Sequence, residues 1–292
     1  NGAGAIVLKS IFQEEILFEY KQWMAEAEKM GYDQENTDYF DLKIKEHNIR
    51  EYINLIKEAK STVDIPVIAS INCISSYEWL DFTKKIEQAG ADALELNIFY
   101  FPNSLSSNSA EIEDEYLQII KKVKESISIP LVIKMSHYFT NLGVMIQRID
   151  ELGVDGIVLF NKFTQPDIDI KAQEVVVSNV FSSVHDFALP LRWVGVASGH
   201  TNCSLAASTG VHSGEELVKI LLAGADAAQV VSTLYQNGPE QIKKMNDFLV
   251  DYLKAKNLSA VSHIKGLLSN KNIKQDNMYE RVQFMKYFSG RD

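Results

Sequence analysis

The chain has 292 residues, 39 acidic against 29 basic side chains, a formal charge of −10 and 46% hydrophobic residues. That is the composition of a globular protein, and its acidic balance, without a basic patch, excludes a dedicated nucleic-acid role. Two cysteines, Cys73 and Cys203, cannot build a disulfide framework, a four-cysteine zinc site or a cysteine-ligated iron–sulfur cluster within one chain, and no apolar run reaches the span of a membrane helix. A cytoplasmic protein that handles a small molecule, away from nucleic acid and membrane, is the expectation.

Four stretches share one shape along the chain: Asn1-Gly-Ala-Gly-Ala-Ile-Val-Leu8, Ala89-Gly-Ala-Asp-Ala-Leu-Glu-Leu96, Leu152-Gly-Val-Asp-Gly-Ile-Val-Leu159 and Ala223-Gly-Ala-Asp-Ala-Ala-Gln-Val230. Each reads as a helix end turned by glycine into a buried strand. Ile65-Pro-Val-Ile-Ala-Ser-Ile71 and Ile129-Pro-Leu-Val-Ile-Lys-Met135 enter their strands through proline, which loses no ladder bond at a first position. The pattern predicts strands over 5–10, 66–72, 92–98, 131–136, 156–161, 203–209 and 227–232. Helical spacing predicts helices over about 48–61, 76–89, 110–127, 140–152, 213–223 and 239–255. Alternation of this kind marks a parallel α/β fold. Seven strands fall one short of the eight of a TIM (β/α)8 barrel. Because the chain starts at what the repeat identifies as a helix end, the first strand and helix are expected upstream of Asn1. An open doubly wound sheet fits less well, since Gly2 and Gly4 precede a strand and no dinucleotide fingerprint follows one.

Residues 1–255 are accordingly read as one barrel with insertions at about 11–47 and 162–190. Within the second, Glu174-Val-Val-Val-Ser178 suggests a hairpin arm. Both insertions follow strand C-termini, so both are candidate lids or substrate walls. Residues 256–292 are expected to form a helical tail packed on the barrel.

Polar residues gather where the strands stop: Lys9-Ser10, Ser70 with Asn72, Glu95 with Asn97, Lys134 with Ser136, Asn161, Ser208-Thr209-Gly210 and Ser232-Thr233. A lysine ending the apolar strand Leu131-Val-Ile-Lys134 calls for an anion, either an interior carboxylate such as Glu95 or a ligand. Lys9 poses the same choice. The last two strand ends, Ser208-Thr-Gly-Val-His-Ser-Gly214 and Val231-Ser-Thr-Leu-Tyr235, offer glycine and hydroxyl residues where barrels hold phosphate; the alternative is helix capping by Ser213 and Ser232. His137, His185, His200 and His212 lack metal-ligand spacing and read as surface or capping residues, so no metal site is expected. No nucleophile elbow is present.

The segments Ala5-Ile-Val-Leu-Lys-Ser10, Ala93-Leu-Glu-Leu-Asn97 with Pro102-Asn103, Leu131-Val-Ile-Lys134, Leu189-Pro-Leu-Arg-Trp193, Ser208-Thr-Gly-Val211 and Val231-Ser-Thr-Leu with Gly238-Pro239 resemble the FMN-dependent dihydroorotate dehydrogenase family over nearly the whole chain. The resemblance assigns 190–201 as a helix. It implies FMN as cofactor and hydride transfer from dihydroorotate, or a related cyclic substrate, to flavin N5 in pyrimidine biosynthesis. It places Lys134 beside the pyrimidine side of the flavin and Lys9, Ser10, Asn97 and Asn161 around flavin or substrate. Thr209, Gly210, Ser232 and Thr233 are implied on the FMN phosphate, and a homodimer fits the family. The family reads Asn-x-x-Cys-Pro-Asn, or serine for cysteine, where this chain reads Asn97-Ile-Phe-Tyr-Phe-Pro-Asn103. Phe101 stands at the position of the base and cannot take a proton, leaving Tyr100 and Ser104 as nearby substitutes in the segment that also carries Asn103, with tyrosine a reluctant base at its ordinary pKa near 10. Two other readings of the residues remain: a flavin-free lyase or isomerase barrel using Lys134 on a phosphate ligand, and a non-catalytic flavin-binding barrel.

Overall fold

A computed structural model describes residues 1–12, 37–73, 79–98, 108–273 and 279. The chain divides into two compact units, Gly4–Lys134 and Met135–Asp292, the latter joined by Asn1–Ala3.

In the N-terminal unit, β1 (Ile6–Val7) and β2 (Ile11–Phe12) both run parallel to one edge of β3 (Val67–Cys73). On the other edge lies β4 (Ala93–Ile98), followed by β5 (Leu131–Met135), again in parallel. The helices are α1 (Thr37–Thr62), α2 (Trp79–Gln88) and α3 (Ser109–Ser126). α3 starts at a reciprocal cap, with Asn108 Oδ1 accepting from Glu111 N and Glu111 Oε2 accepting from Asn108 N, both at 3.0 Å. It buries Tyr116, Ile119, Ile120 and Val123, one face of a 3.6-residue period.

The C-terminal unit places β9 (Ser204–Ser208) between β6 (Gly156–Leu159) and β10 (Ala227–Gln229), all parallel. Its helices are α4 (Leu142–Glu151), α5 (Ala188–Ala197), α6 (Gly214–Ala223), α7 (Ser232–Asn237) and α8 (Gln241–Ala255). Strand followed by helix, with parallel pairing, is the barrel-class alternation that the repeat predicts. The repeat's turn is as expected: Gly90 and Gly224 carry φ of +93° and +120°, a region side chains resist. The aspartates that follow do more than fill the turn. Asp92 Oδ2 accepts from Val67 N at 2.7 Å at the start of β3, and Asp226 Oδ2 accepts from Leu205 N at 3.0 Å at the start of β9. Each is also paired with a lysine, Lys60 and Lys265 respectively.

Several boundaries differ from those predicted. The strand expected over 5–10 is broken: Leu8 N still bonds Ile68 O at 2.9 Å, but Lys9 and Ser10 leave the ladder before β2. α1 begins at Thr37 rather than 48, because the sequence Asp41-Leu-Lys-Ile-Lys-Glu46 alternates charged and apolar types and so carries no helical period. The strand expected over 227–232 stops at Gln229, and Ser232-Thr233 open α7 instead of closing a strand. The hairpin arm is present as β7 (Pro166–Asp169) against β8 (Glu174–Val177), antiparallel and exposed throughout. The tail's described part, 256–273, is a run of turns with one 3-10 turn at Val261–His263 rather than an α-helix. Its amides at Gly266, Leu268 and Asn270 bond Leu221 O, Leu222 O and Gly195 O, which fix it to α5 and α6. Among the described residues no helix is long and apolar enough to cross a membrane.

Candidate active site

Parallel register and the two-residue period of strands build the polar face of the N-terminal unit. Ser70 lies opposite Glu95 on adjacent strands, while Asn72, Asn97 and Lys134 form the next row across three strands. Residues two apart share a face, so all five side chains belong to one surface of the sheet. The alternating Leu94, Leu96 and Ile98 and Leu131 and Ile133 are buried on the other surface. Ser70, Asn72, Glu95 and Asn97 are buried. Burying that many polar groups costs several kcal/mol unless they are satisfied.

Most of them are. Ser70 Oγ donates to Glu95 Oε1 at 3.1 Å and shares a 2.7 Å bond with Ser10 Oγ. Tyr52 of α1 clamps the backbone of Ser70, donating to its carbonyl at 2.8 Å and accepting from its amide at 2.7 Å. Burial, and secondarily the Glu95 charge, push the Tyr52 phenol well above its ordinary range, so it stays neutral as a two-way linker. Lys134 Nζ lies 3.5 Å from Glu95 Oε1, with 14% of the lysine side chain exposed against 2% of the glutamate. The interior carboxylate foreseen for Lys134 is therefore Glu95. Asn97 Oδ1 is buried without a hydrogen-bond donor among the described residues. An orphan acceptor of this kind has the capacity to take a hydrogen bond from a ligand N–H. Lys9 is exposed between β1 and β2. Tyr100, Phe101 and Asn103 lie outside the described residues.

In the C-terminal unit the site residues sit on loops. Phe160 O, just past β6, accepts from Thr209 Oγ1 at 3.0 Å, and the next amide, Asn161 N, bonds Met135 O at 3.0 Å. Thr209 and Gly210 both have positive φ, +79° and +83°. A Cβ on Gly210 would stand 2.3 Å from Phe187 N, so only glycine fits there. The two loops are stitched together: Thr233 Oγ1 donates to His212 O at 3.1 Å, and Gln241 Nε2 donates to the same carbonyl at 2.9 Å. Thr233 Oγ1 also accepts from Asn237 Nδ2 at 3.0 Å, which leaves its hydroxyl engaged within the protein and only its amide for a ligand. Ser232 Oγ accepts from Ser182 N at 2.9 Å and keeps its own proton to donate. Among the described residues, the amides of Gly210, Val211, Ser232 and Thr233 donate to no backbone carbonyl. That is a set of donors with a hydroxyl beside them, chemistry suited to an oxyanion. Capping accounts for Ser213, whose Oγ accepts from Glu215 N at 3.1 Å and which forms a reciprocal box with Glu216. It does not account for Ser232, which lies inside α7 past the cap residue Val231.

Two histidines depart from the surface role expected of them. His212 Nε2 shares a 3.0 Å bond with buried Ser182 Oγ. His137 packs against the rings of Tyr138, Phe160 and Phe163, at centroid distances of 4.3, 5.9 and 6.4 Å. Burial there pulls its pKa below the ordinary histidine value. His185 and His200 are exposed as expected. Sequence reading missed Tyr52, Ser182 and Phe187, since each acts on a partner far along the chain that no local motif reveals.

A family model described as dihydroorotate dehydrogenase matches residues 27–253. The catalytic subunit of dihydroorotate dehydrogenase B (NAD(+)) of Methanocaldococcus jannaschii is 27% identical over 72% of this chain and 69% of that protein. The catalytic subunit of the same name from Thermoplasma volcanium is 24% identical over 91% of this chain and 87% of its own length.

Proposed function

Because the chain belongs to the dihydroorotate dehydrogenase family and is thereby an oxidoreductase acting on a CH–CH bond, we propose that it binds FMN and oxidises dihydroorotate, or a closely related cyclic substrate, in the cytoplasm as part of pyrimidine synthesis. The observation that carries this reading is the row of buried Asn72 and Asn97 with Lys134 next to them, which sets the orphan acceptor Asn97 Oδ1 beside a cation. A ring that presents an N–H beside a carbonyl that gains negative charge on reduction matches that donor set. FMN would supply the hydride acceptor, chemistry no side chain provides.

The chain's own residues do the rest. Lys134 holds a positive charge where negative charge grows, preorganised by a partner already in place. Asn97 accepts from an N–H and so orients the ligand. The amides of Gly210, Val211, Ser232 and Thr233 and the Ser232 hydroxyl bind a phosphate, with the Thr209 hydroxyl fixing the loop through Phe160 O. Asn161, Ser10 and Lys9 complete the polar contacts to cofactor or substrate. Tyr100 is the candidate proton acceptor in place of the family's cysteine or serine.

Anaerobic mixing of the purified protein with dihydroorotate and with a panel of dihydropyrimidines, enoates and nicotinamides tests this. Bleaching of the flavin near its visible absorbance maximum by a dihydropyrimidine is the expected result. A colourless protein that takes up no added FMN would sink the reading.

A further inference from the structure

The polar face of the N-terminal unit contains more machinery than a single cation needs. Lys134 lies near the end of its strand on a flexible four-carbon stem, and such a side chain loses rotamer freedom when it is fixed. Here the fixing partner is itself fixed. Glu95 is almost wholly buried, 3.5 Å from Lys134 Nζ, and its Oε1 also accepts the Ser70 hydroxyl at 3.1 Å. Ser70 in turn cannot shift, because Tyr52 bonds both its amide and its carbonyl. The three side chains come from different elements: Tyr52 from α1, Ser70 from β3 and Glu95 from β4. Tyr52 is buried too, at 7% exposure, and packs its ring at 6.0 Å from Phe82 of α2. A buried carboxylate and a lysine at the end of an apolar strand would be costly liabilities apart, and here they meet across two adjacent rows of the same sheet face.

We infer that Glu95 is the positioning residue for Lys134, held in place through Ser70 by Tyr52, and that it sets how strongly the lysine charge is felt by a bound reduced flavin. This deepens the proposed function and rests on it. Glu95 touches neither substrate nor cofactor; it acts through the lysine. Shortening the carboxylate with Glu95→Asp keeps the charge but draws the ammonium back toward the strand. The reduced, anionic ring then loses more than the oxidised one.

The experiment measures FMN affinity and the flavin midpoint potential in the parent, Glu95→Asp, Lys134→Met and the double variant. Expected is a fall of about tenfold or more in the ratio of reduced to oxidised FMN affinity for Glu95→Asp, read as a lower midpoint potential. The same change should have no effect in the Lys134→Met background. An unchanged potential, or an equal shift in both backgrounds, overturns the inference, since a charge acting directly through space does not need the lysine. Thermal unfolding of flavin-free protein gives the second arm. Lys134→Met alone removes the cation 3.5 Å from the buried Glu95 carboxylate, so adding Glu95→Gln should recover part of the lost melting temperature, whereas simple additivity overturns the pairing. If the parent binds no FMN, the flavin reading falls by that fact, and the flavin-free arm still decides whether Glu95 holds Lys134.

Discussion

The two units build their polar surfaces by different means. In the N-terminal unit the polar surface is made by side chains on three adjacent strands, where register alone puts Asn72, Asn97 and Lys134 in a row and Ser70 beside Glu95. In the C-terminal unit the polar surface is made by backbone amides on two loops, shaped by positive φ at Thr209 and Gly210 and by the bonds that join His212 to Ser182, Thr233 and Gln241. Strand-borne charge tolerates little change of residue type but needs no special backbone. Loop-borne amides tolerate many side chains and depend on a conformation that a single Cβ can forbid.

The largest expected effect breaks the first kind of surface. Lys134→Ala removes the cation and leaves Glu95 buried without it, so turnover should fall on the order of 10²-fold or more, by analogy with deleting one preorganised electrostatic contact. FMN affinity should fall far less, because the amide donors of the C-terminal unit are untouched. Stopped-flow reduction of the flavin, set against equilibrium FMN titration, checks both halves. Equal losses in rate and affinity would mean that the lysine serves binding alone.

Gly210→Ala attacks the second kind. It forces a side chain into φ +83° and a Cβ to within 2.3 Å of Phe187 N, where the obstacle is backbone and cannot swing aside. Strained φ and overpacking together should cost about 3 kcal/mol of stability. FMN affinity should fall with it, while the midpoint potential of whatever flavin remains bound stays near that of the parent. Urea unfolding and a redox titration separate the two. A stable variant with parental affinity would show that this loop has slack the geometry does not suggest.

What could be read from the sequence divides along the same line. Glu95, Asn97 and Lys134 stand out there because a polar residue in an apolar run has few reasons to exist, and strand periodicity says which of them share a face. The glycine–aspartate repeat was legible as a turn, yet the aspartates' bonds to Val67 N and Leu205 N on neighbouring strands were not, because they join residues 25 and 21 positions apart. Gly210 was legible as a loop glycine. The reason for it, the backbone of Phe187 packed against its Cα, belongs to tertiary structure. Ser232 and Thr233 were read at a strand end and found in a helix, since a run of Val-Val-Ser-Thr suits either element until its hydrogen bonds are known.

A smaller effect comes from Asp150 at the end of α4. Burial opposes its charge, but the amides of Asn202 and Cys203 and the side chains of both residues outweigh it and hold the carboxyl below its usual range. A depressed carboxyl stabilises the fold above its unfolded pKa near 3.9, and that contribution is lost as pH falls through the lower folded value. Asp150→Asn should therefore cost about 2 kcal/mol at neutral pH and make acid unfolding below about pH 4 less steep than in the parent. The Cys203 thiol, pushed up to about 12 by burial first and by Asp150 second, should react faster with an alkylating reagent in the variant. Thiol reactivity that does not change would remove Asp150 as a cause of the cysteine's inertness.

The smallest expected effect sharpens the comparison most, because it asks what a loop side chain contributes once the backbone is set. Thr209 pays for its +79° φ with β-branched crowding and gains one bond, Oγ1 to Phe160 O at 3.0 Å. Thr209→Ala keeps most of the strain and deletes the bond, leaving a carbonyl short of a partner, so it should destabilise the protein by about 1 kcal/mol. Thr209→Gly deletes the same bond but relieves the strain, and the two terms nearly cancel, with a net change within about 0.5 kcal/mol of the parent once the added freedom of the unfolded chain is counted. Paired chemical-denaturation curves for the two variants give the order directly. If glycine is the worse of the two, the hydroxyl's grip on Phe160 is not what holds this loop in its left-handed turn, and the strain at Thr209 is smaller than its dihedral implies.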